Sequence, residues 1–231
     1  MQNQIVSRDE WLNARKSLLE REVAMTHELD ALRAERRQLP WVRIDKPYVF
    51  EGPTGKCEFA DLFGGHSQLA VYHFMLTPGS DHICPGCSFI VDHLSAAQQH
   101  FEHADLAFTA VSRVPVQQIE QVKTRMGWTF PWVSSAGNDF NFDFGVSFRP
   151  EDRAAGRASY NYGKTAIEKA SDMFGISIFA KDEVGAIYHT YSTYHRGAEL
   201  LIGAFNWLDL TPKGRNENGS TMGWVRLHDE Y

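Results

Sequence analysis

The sequence predicts an α/β fold: a central mixed sheet with flanking helices, a helical extension before it and an aromatic-rich insertion within it. Three observations carry this expectation. From residue 68 onward, apolar residues switch between continuous or alternating runs, which suit strands, and three- to four-residue spacing, which suits helices. The resulting order is strand, helix, strand, helix, strand, strand, helix. Two of the three cysteines, Cys84 and Cys87, stand where the first of these strands gives way to the first helix.

Ser7 to about Gln38 reads as a long charged helix. Ser7 and Glu10 fit a capping box, Leu12, Leu19, Val23, Leu29 and Leu32 recur at helical spacing, and Pro40 stops it. At a rise of about 1.5 Å per residue its length is on the order of 45 Å, which suits either an arm across the domain or the contact of a homodimer. Pro47 to Glu51 and Cys57 to Phe59 read as short strands around the turn residues Gly52, Pro53 and Gly55. Gln68 to Leu76 is apolar almost throughout, as in a strand covered on both faces, and Thr77-Pro78-Gly79-Ser80 ends it.

From Ser88, the residues Ile90, Leu94, Ala97 and Phe101 define one continuous amphipathic helix. Leu106 to Val111 is the next strand, and Pro115 opens a helix with Val116, Ile119, Val122 and Met126 on its apolar side. Phe174 to Ala180 and Ala186 to Tyr191 flank Asp182-Glu183-Val184-Gly185 as an antiparallel hairpin, and Gly197 to Trp207 closes the fold as a helix. The domains expected are therefore 1–40, a helical extension; 41–210, the α/β domain, with an insertion at about 128–171; and 211–231, a C-terminal tail whose part from Thr211 to Gly219 is polar and reads as a surface loop.

Composition narrows the function. With 43% apolar residues the chain can bury one sizeable core. Its 23 Lys and Arg against 29 Asp and Glu leave a formal charge of −6, so it has no basic field for nucleic acid. The longest apolar stretch, Leu69 to Leu76, is too short for a membrane span, and the N-terminus lacks a signal-peptide pattern. Three cysteines in a chain of this length exclude a small disulfide scaffold and make the cytoplasm the expected location. No G-x-G or G-x-S-x-G occurs, and Gly163-Lys164-Thr165 lacks the first glycine of a phosphate loop, Ala standing at position 158. No cofactor is expected.

Chemistry concentrates at Cys84-Pro85-Gly86-Cys87. Cysteines three apart on a first helical turn share a face and can reach disulfide distance. Unpaired amides at a helix start stabilise a thiolate and lower its pKa. Cys84, at the very start, gains most; Cys87, one turn in, stays a thiol until it attacks a mixed disulfide at Cys84. Pro85 stiffens the turn and Gly86 leaves room for a partner's backbone. Two competing readings remain: zinc held by His82, Cys84, Cys87 and His93, and a pair of inert buried thiols. Against zinc, His93 lies well into its helix and no second Cys-x-x-Cys occurs.

This arrangement resembles the thioredoxin superfamily. Over longer stretches, Leu69 to Met75, Cys84 to Phe89, Met126 to Trp128, Phe130 to Ser135, Asp139 to Gly145 and His189 to Tyr194 resemble the bacterial family catalogued as domain of unknown function 899, over nearly the whole chain. The resemblance implies a thioredoxin-like core and a dithiol-disulfide oxidoreductase in which Cys84 attacks and Cys87 resolves. The implied partners are a disulfide-containing protein or a small thiol or disulfide. Two departures stand out. Thioredoxins have Gly before Pro in the active dipeptide, the reverse of Pro85-Gly86, and carry a proline before the third core strand, where this chain has Met173-Phe174-Gly175. The peroxiredoxin pattern is also unmet, since Thr77 and Asp81 stand where that family needs Pro and Thr or Ser. The alternative function is a thioredoxin-fold binding module with a structural or zinc-binding cysteine pair.

Several side chains could assist the thiols. Asp81 and His82 immediately precede them and could tune their pKa in opposite senses. His73, within the strand, and Asp61, just upstream of it, could lie near the dithiol as proton acceptors. Cys57 reads as a small buried residue, and His93, His100 and His103 as a solvated helix face. The aromatics from Trp128 to Tyr162 suit a satellite hydrophobic cluster or an apolar wall beside the dithiol.

Overall fold

The computed structural model describes residues 3–217 and 219–231, and the chain divides into two units, Met1–Pro40 and Trp41–Tyr231. The first unit is one helix, α1 (Arg8–Arg37). Its start is the capping box: the Glu10 N–H donates to Ser7 Oγ at 3.3 Å, and the Ser7 N–H donates to the Glu10 carboxylate at 2.9 Å. Asp9 and Glu10 in the first turn and Arg36 and Arg37 in the last complement the helix dipole.

The second unit begins with β1 (Val42–Arg43), β2 (Val49–Gly52) and β3 (Gly55–Glu58), followed by a 3-10 turn over Phe59–Phe63. Then come β4 (Gln68–His73), α2 (Pro85–Val91), α3 (Ser95–His103), β5 (Leu106–Ser112), α4 (Val116–Met126) and β6 (Trp132–Ser134). Short elements follow: α5 (Phe140–Asp143), α6 (Pro150–Ala154), and the separate ribbon β7 (Ser159–Tyr160) with β8 (Thr165–Ala166). The hairpin β9 (Gly175–Lys181) and β10 (Ile187–Tyr194) leads to α7 (Gly203–Asp209).

One eight-stranded sheet has the order β1-β10-β9-β4-β5-β6-β2-β3. β4, β5 and β6 run parallel, while β9 is antiparallel to β4 and β10 antiparallel to β9. A strand-helix-strand unit beside a strand-strand-helix unit, joined through β4 and β9, is the thioredoxin-like α/β fold.

β4 is covered on both sides, and its alternation sorts the core. Leu69 and Val71 face one cluster with Phe50, Phe59, Val111, Phe140 and Phe179. Tyr72 and Phe74 face the other, with Cys87, Phe89, Ile119, Trp132 and Phe205. A third cluster, built on Phe148, Tyr160, Ile167 and Tyr194, packs the segment after β6.

Three expectations need correction. The helix expected from Ser88 through Phe101 is two helices broken at Asp92–Leu94. His93 turns its ring back so that Nδ1 bonds the Phe89 carbonyl at 2.6 Å, and its own backbone N–H goes to Ile90 instead. The segment expected to be an insertion from residue 128 opens with a core strand: Trp132 and Val133 of β6 pair with Ala110 and Val111. The helix expected over Gly197 to Trp207 is a 3-10 segment, His195–Leu201, followed by α7. Beyond the polar loop, the C-terminal segment returns to the core, where Val225 and Leu227 are buried.

Candidate active site

β4 delivers the chain through residues 74–83 to Cys84, which is the N-cap of α2; Pro85 occupies the first turn, where its missing N–H costs nothing. The Cys87 N–H donates to Cys84 Sγ at 3.3 Å, and both the N–H and the hydroxyl of Ser88 donate to the Cys84 carbonyl at 3.0 Å. The motif therefore folds on itself: the sulfur takes the place that a Ser or Asp oxygen takes in an ordinary cap. Cys57, Cys84 and Cys87 are free thiols.

The two motif thiols are held in opposite states. Cys84 is lowered from 9.0 to about 7, first by the hydrogen bond with the Cys87 thiol, against the upward push of burial, and then by the N–H groups of Cys87 and Gly86. Burial pushes Cys87 well up, and the neighbouring Cys84 pushes it further; the Tyr72 hydroxyl and the Met75 backbone act in the other direction. One thiol is poised near neutrality and the other held protonated, the division that an attacking and a resolving thiol require.

Three residues outside the motif approach it. Tyr72 on β4 is fully buried and faces Cys87 and then Cys84. Tyr160, also buried, lies close enough that Cys87 contributes to raising its pKa, and its hydroxyl donates to the Phe174 carbonyl at 2.6 Å and accepts the His195 N–H at 3.0 Å. A Cβ placed on Gly86 would lie 3.6 Å from Met222 Sδ and 3.9 Å from Cys84 Sγ. The space expected above Gly86 is thus bounded by a side chain of the C-terminal segment. Behind Tyr72 an apolar cavity of about 250 Å³ runs between the sheet and helices α2 and α3, lined by Ala70, Ile90, Leu94 and Phe108.

The other candidates fall elsewhere. His73 is buried on the face of β4 opposite Tyr72, stacked on Phe140 and Phe144, with its ring nitrogens bonded to Asn141 and Ser177. Asp81 and His82 are exposed, and neither is among the groups acting on the Cys84 thiol. Asp61 accepts the Glu58 N–H at 2.8 Å and, after burial, is the second cause raising the Cys57 thiol. Cys57 lies on β3, at the edge of the sheet. His93 is not a solvated side chain: Nε2 accepts the Ala204 N–H at 3.0 Å, leaving Nδ1–H to donate to Phe89. The ring is therefore committed, and among the described residues no three His, Cys, Asp or Glu side chains are placed to hold a metal ion.

Sequence reasoning missed Tyr72 and Met222 as neighbours of the thiols, while Tyr160 was among the aromatics expected either in a satellite cluster or beside the dithiol. For Tyr72 a signal existed, since strict alternation along β4 sets it and His73 on opposite faces, so that only one of them could face the helix that carries Cys87.

Among solved structures, the peroxidoxin BcpB of Mycobacterium tuberculosis is similar with a TM-score of 0.47 and 12% identity, over 74% of this chain and 97% of that one. A Xanthomonas campestris peroxiredoxin Q is similar at 0.46 and 18%, over 73% and 96% of the two chains. A Bacteroides thetaiotaomicron chain provisionally titled a protein disulfide isomerase follows at 0.39 and 16%, over 73% and 91%. At these levels the likeness bears on neither chemistry nor substrate. No curated protein matches. The model of the family described as bacterial protein of unknown function (DUF899) matches residues 1–231, and the chain belongs to that family.

Proposed function

We propose that the protein is a thiol-disulfide oxidoreductase working through Cys84 and Cys87. The observation that carries this reading is the opposite bias of two thiols three residues apart, one capped by amides and lowered to about 7, the other buried and raised. The Cys84 thiolate attacks a disulfide R–S–S–R′, forming Cys84–S–S–R and releasing R′–S⁻. Cys87 then attacks Cys84 Sγ, closing the Cys84–Cys87 disulfide and releasing R–SH. The substrate is reduced by two electrons and the dithiol oxidised by two; with an oxidising partner the same steps run in reverse.

The substrate class is a protein or small-molecule disulfide. The Phe174 carbonyl, in the segment before β9 where thioredoxins dock substrate backbone beside a proline, is already taken by the Tyr160 hydroxyl, and Met222 borders Gly86. Both features favour a slim disulfide over one embedded in a folded surface.

The test is direct. Mild oxidation should remove two of the three thiols counted under denaturing conditions, with or without a chelator, and Cys84→Ser should abolish turnover of glutathione disulfide. Turnover that survives Cys84→Ser would overturn the proposal.

A further inference from the structure

We propose that the Tyr72 hydroxyl is the side-chain hydrogen-bond donor that stabilises the Cys87 thiolate while Cys87 resolves the mixed disulfide. This rests on the dithiol chemistry proposed above and assigns to it a residue outside the motif.

Tyr72 is 1% exposed, and its ring packs in the same cluster as Phe74 and Cys87. Its hydroxyl is buried and, among the described residues, makes no formed hydrogen bond. An unpaired buried hydroxyl is costly, and most buried polar groups find partners. The polar group it faces is the Cys87 sulfur, which as a neutral thiol is a weak acceptor; as a thiolate it is a strong one. The group is thus unpaired in the resting dithiol and positioned to be paired at the moment of resolution.

The other side chains considered for the thiols are committed elsewhere. Tyr160 has spent its hydroxyl proton on the Phe174 carbonyl. His73, the next residue on β4, points to the opposite face and bonds Asn141 and Ser177. Among the described residues, the influences that favour the Cys87 thiolate are the Tyr72 hydroxyl, its side-chain donor, and the Met75 backbone. Burial and the two sulfurs push Tyr72 itself well above its ordinary pKa, so it donates without surrendering its proton.

In the resolving step Cys87 loses its proton and bonds to Cys84 Sγ as the Cys84–S–R bond breaks. The proton ends on the departing R–S⁻, so no further oxidant or base is consumed. Tyr72 is unchanged at the end of the step.

The experiment uses the full chain with Cys57→Ala, so that only the motif thiols react, and dithiobis(nitrobenzoate) as the disulfide. The first coloured thiolate released reports attack by Cys84, and the second reports resolution by Cys87. With Tyr72→Phe, which keeps the ring, the first release should keep its rate, and the second should slow about tenfold, the usual weight of a hydrogen bond to a charged group. Alkylation of Cys87 by iodoacetamide against pH, in a Cys84→Ser background, should show its apparent pKa raised by Tyr72→Phe. Equal second-release rates in Tyr72→Phe and the unsubstituted tyrosine protein would overturn the inference. A missing first release in both would instead sink the dithiol chemistry. Should Tyr72→Phe fail to fold, fluorotyrosine at position 72, a stronger donor, should accelerate the second release; no acceleration would likewise overturn it.

Discussion

His93 Nε2 accepts the backbone N–H of Ala204 at 3.0 Å while Nδ1–H donates to the Phe89 carbonyl at 2.6 Å. One imidazole thereby ties the end of α2 to the start of α7, and the Phe89 and Phe205 rings meet edge-on beside it at 5.2 Å. His93→Ala leaves the Ala204 amide without that acceptor and should cost about 1–3 kcal/mol. The urea midpoint should fall with an unchanged slope; an unmoved midpoint would show that the tie contributes nothing to stability.

His73 ties part of the acid stability to a buried ring. Burial pushes it from 6.5 to about 4, partly offset by the hydrogen bond to Asn141, with His189 adding to the depression. Above pH 6.5 both folded and unfolded chains hold it neutral. Below that, the unfolded chain takes up a proton which the folded chain refuses until about pH 4, so stability falls through this window by up to about 1.4 kcal/mol per pH unit. His73→Gln should flatten this part of the stability profile, measured by urea unfolding at several pH values. A profile parallel to the original would exclude His73 as its source.

Asp172 clamps three separate segments. It accepts from Arg113 Nε at 2.7 Å and Nη2 at 2.9 Å, from Ser147 Oγ at 2.6 Å and from Thr77 Oγ at 2.8 Å. Asp172→Asn keeps the shape but leaves the Arg113 charge unpaired where both side chains are largely buried, and should destabilise by about 3 kcal/mol. Adding Arg113→Met should recover part of the loss. A double variant no more stable than Asp172→Asn would mean that the hydroxyl contacts, not the charge pair, hold the clamp.

Cys87→Ala should raise the Cys84 pKa from about 7 towards its ordinary 9.0, because the Cys87 thiol is the largest influence lowering it. Cys87→Ser, which keeps a donor, should fall between. Ultraviolet absorbance of the thiolate against pH reads this directly. If the alanine variant still titrates near 7, the cap amides alone hold the charge.

How much of this was legible follows from how local each interaction is. β4, β5, α4 and the β9-β10 hairpin are long enough for their periods to show, and the Cys84 cap is closed by groups within four residues. β6 is three residues long, too short to display any period; it is a strand because β5 pairs with it, Ala110 donating to the Pro131 carbonyl at 2.9 Å. His73 looked as good a neighbour for the thiols as Tyr72, because a strand buried on both faces carries no polar side to orient it. Met222 and Val225 lie just beyond the polar loop in a stretch too short to show any period, and only their packing against α2 and its surroundings places them.

The chain alone therefore determined where the paired sulfurs are, which of them meets the cap amides, and the run of strands and helices around them, since these depend on residues within a turn or two of each other. Tertiary structure decided which buried groups face those sulfurs: the Tyr72 hydroxyl rather than the His73 ring, Tyr160 brought across from a distant segment, and Met222 set beside Gly86. The reason is that the face a strand residue presents, and what covers that face, are set by pairing register and packing between segments far apart in sequence, which no short-range pattern encodes.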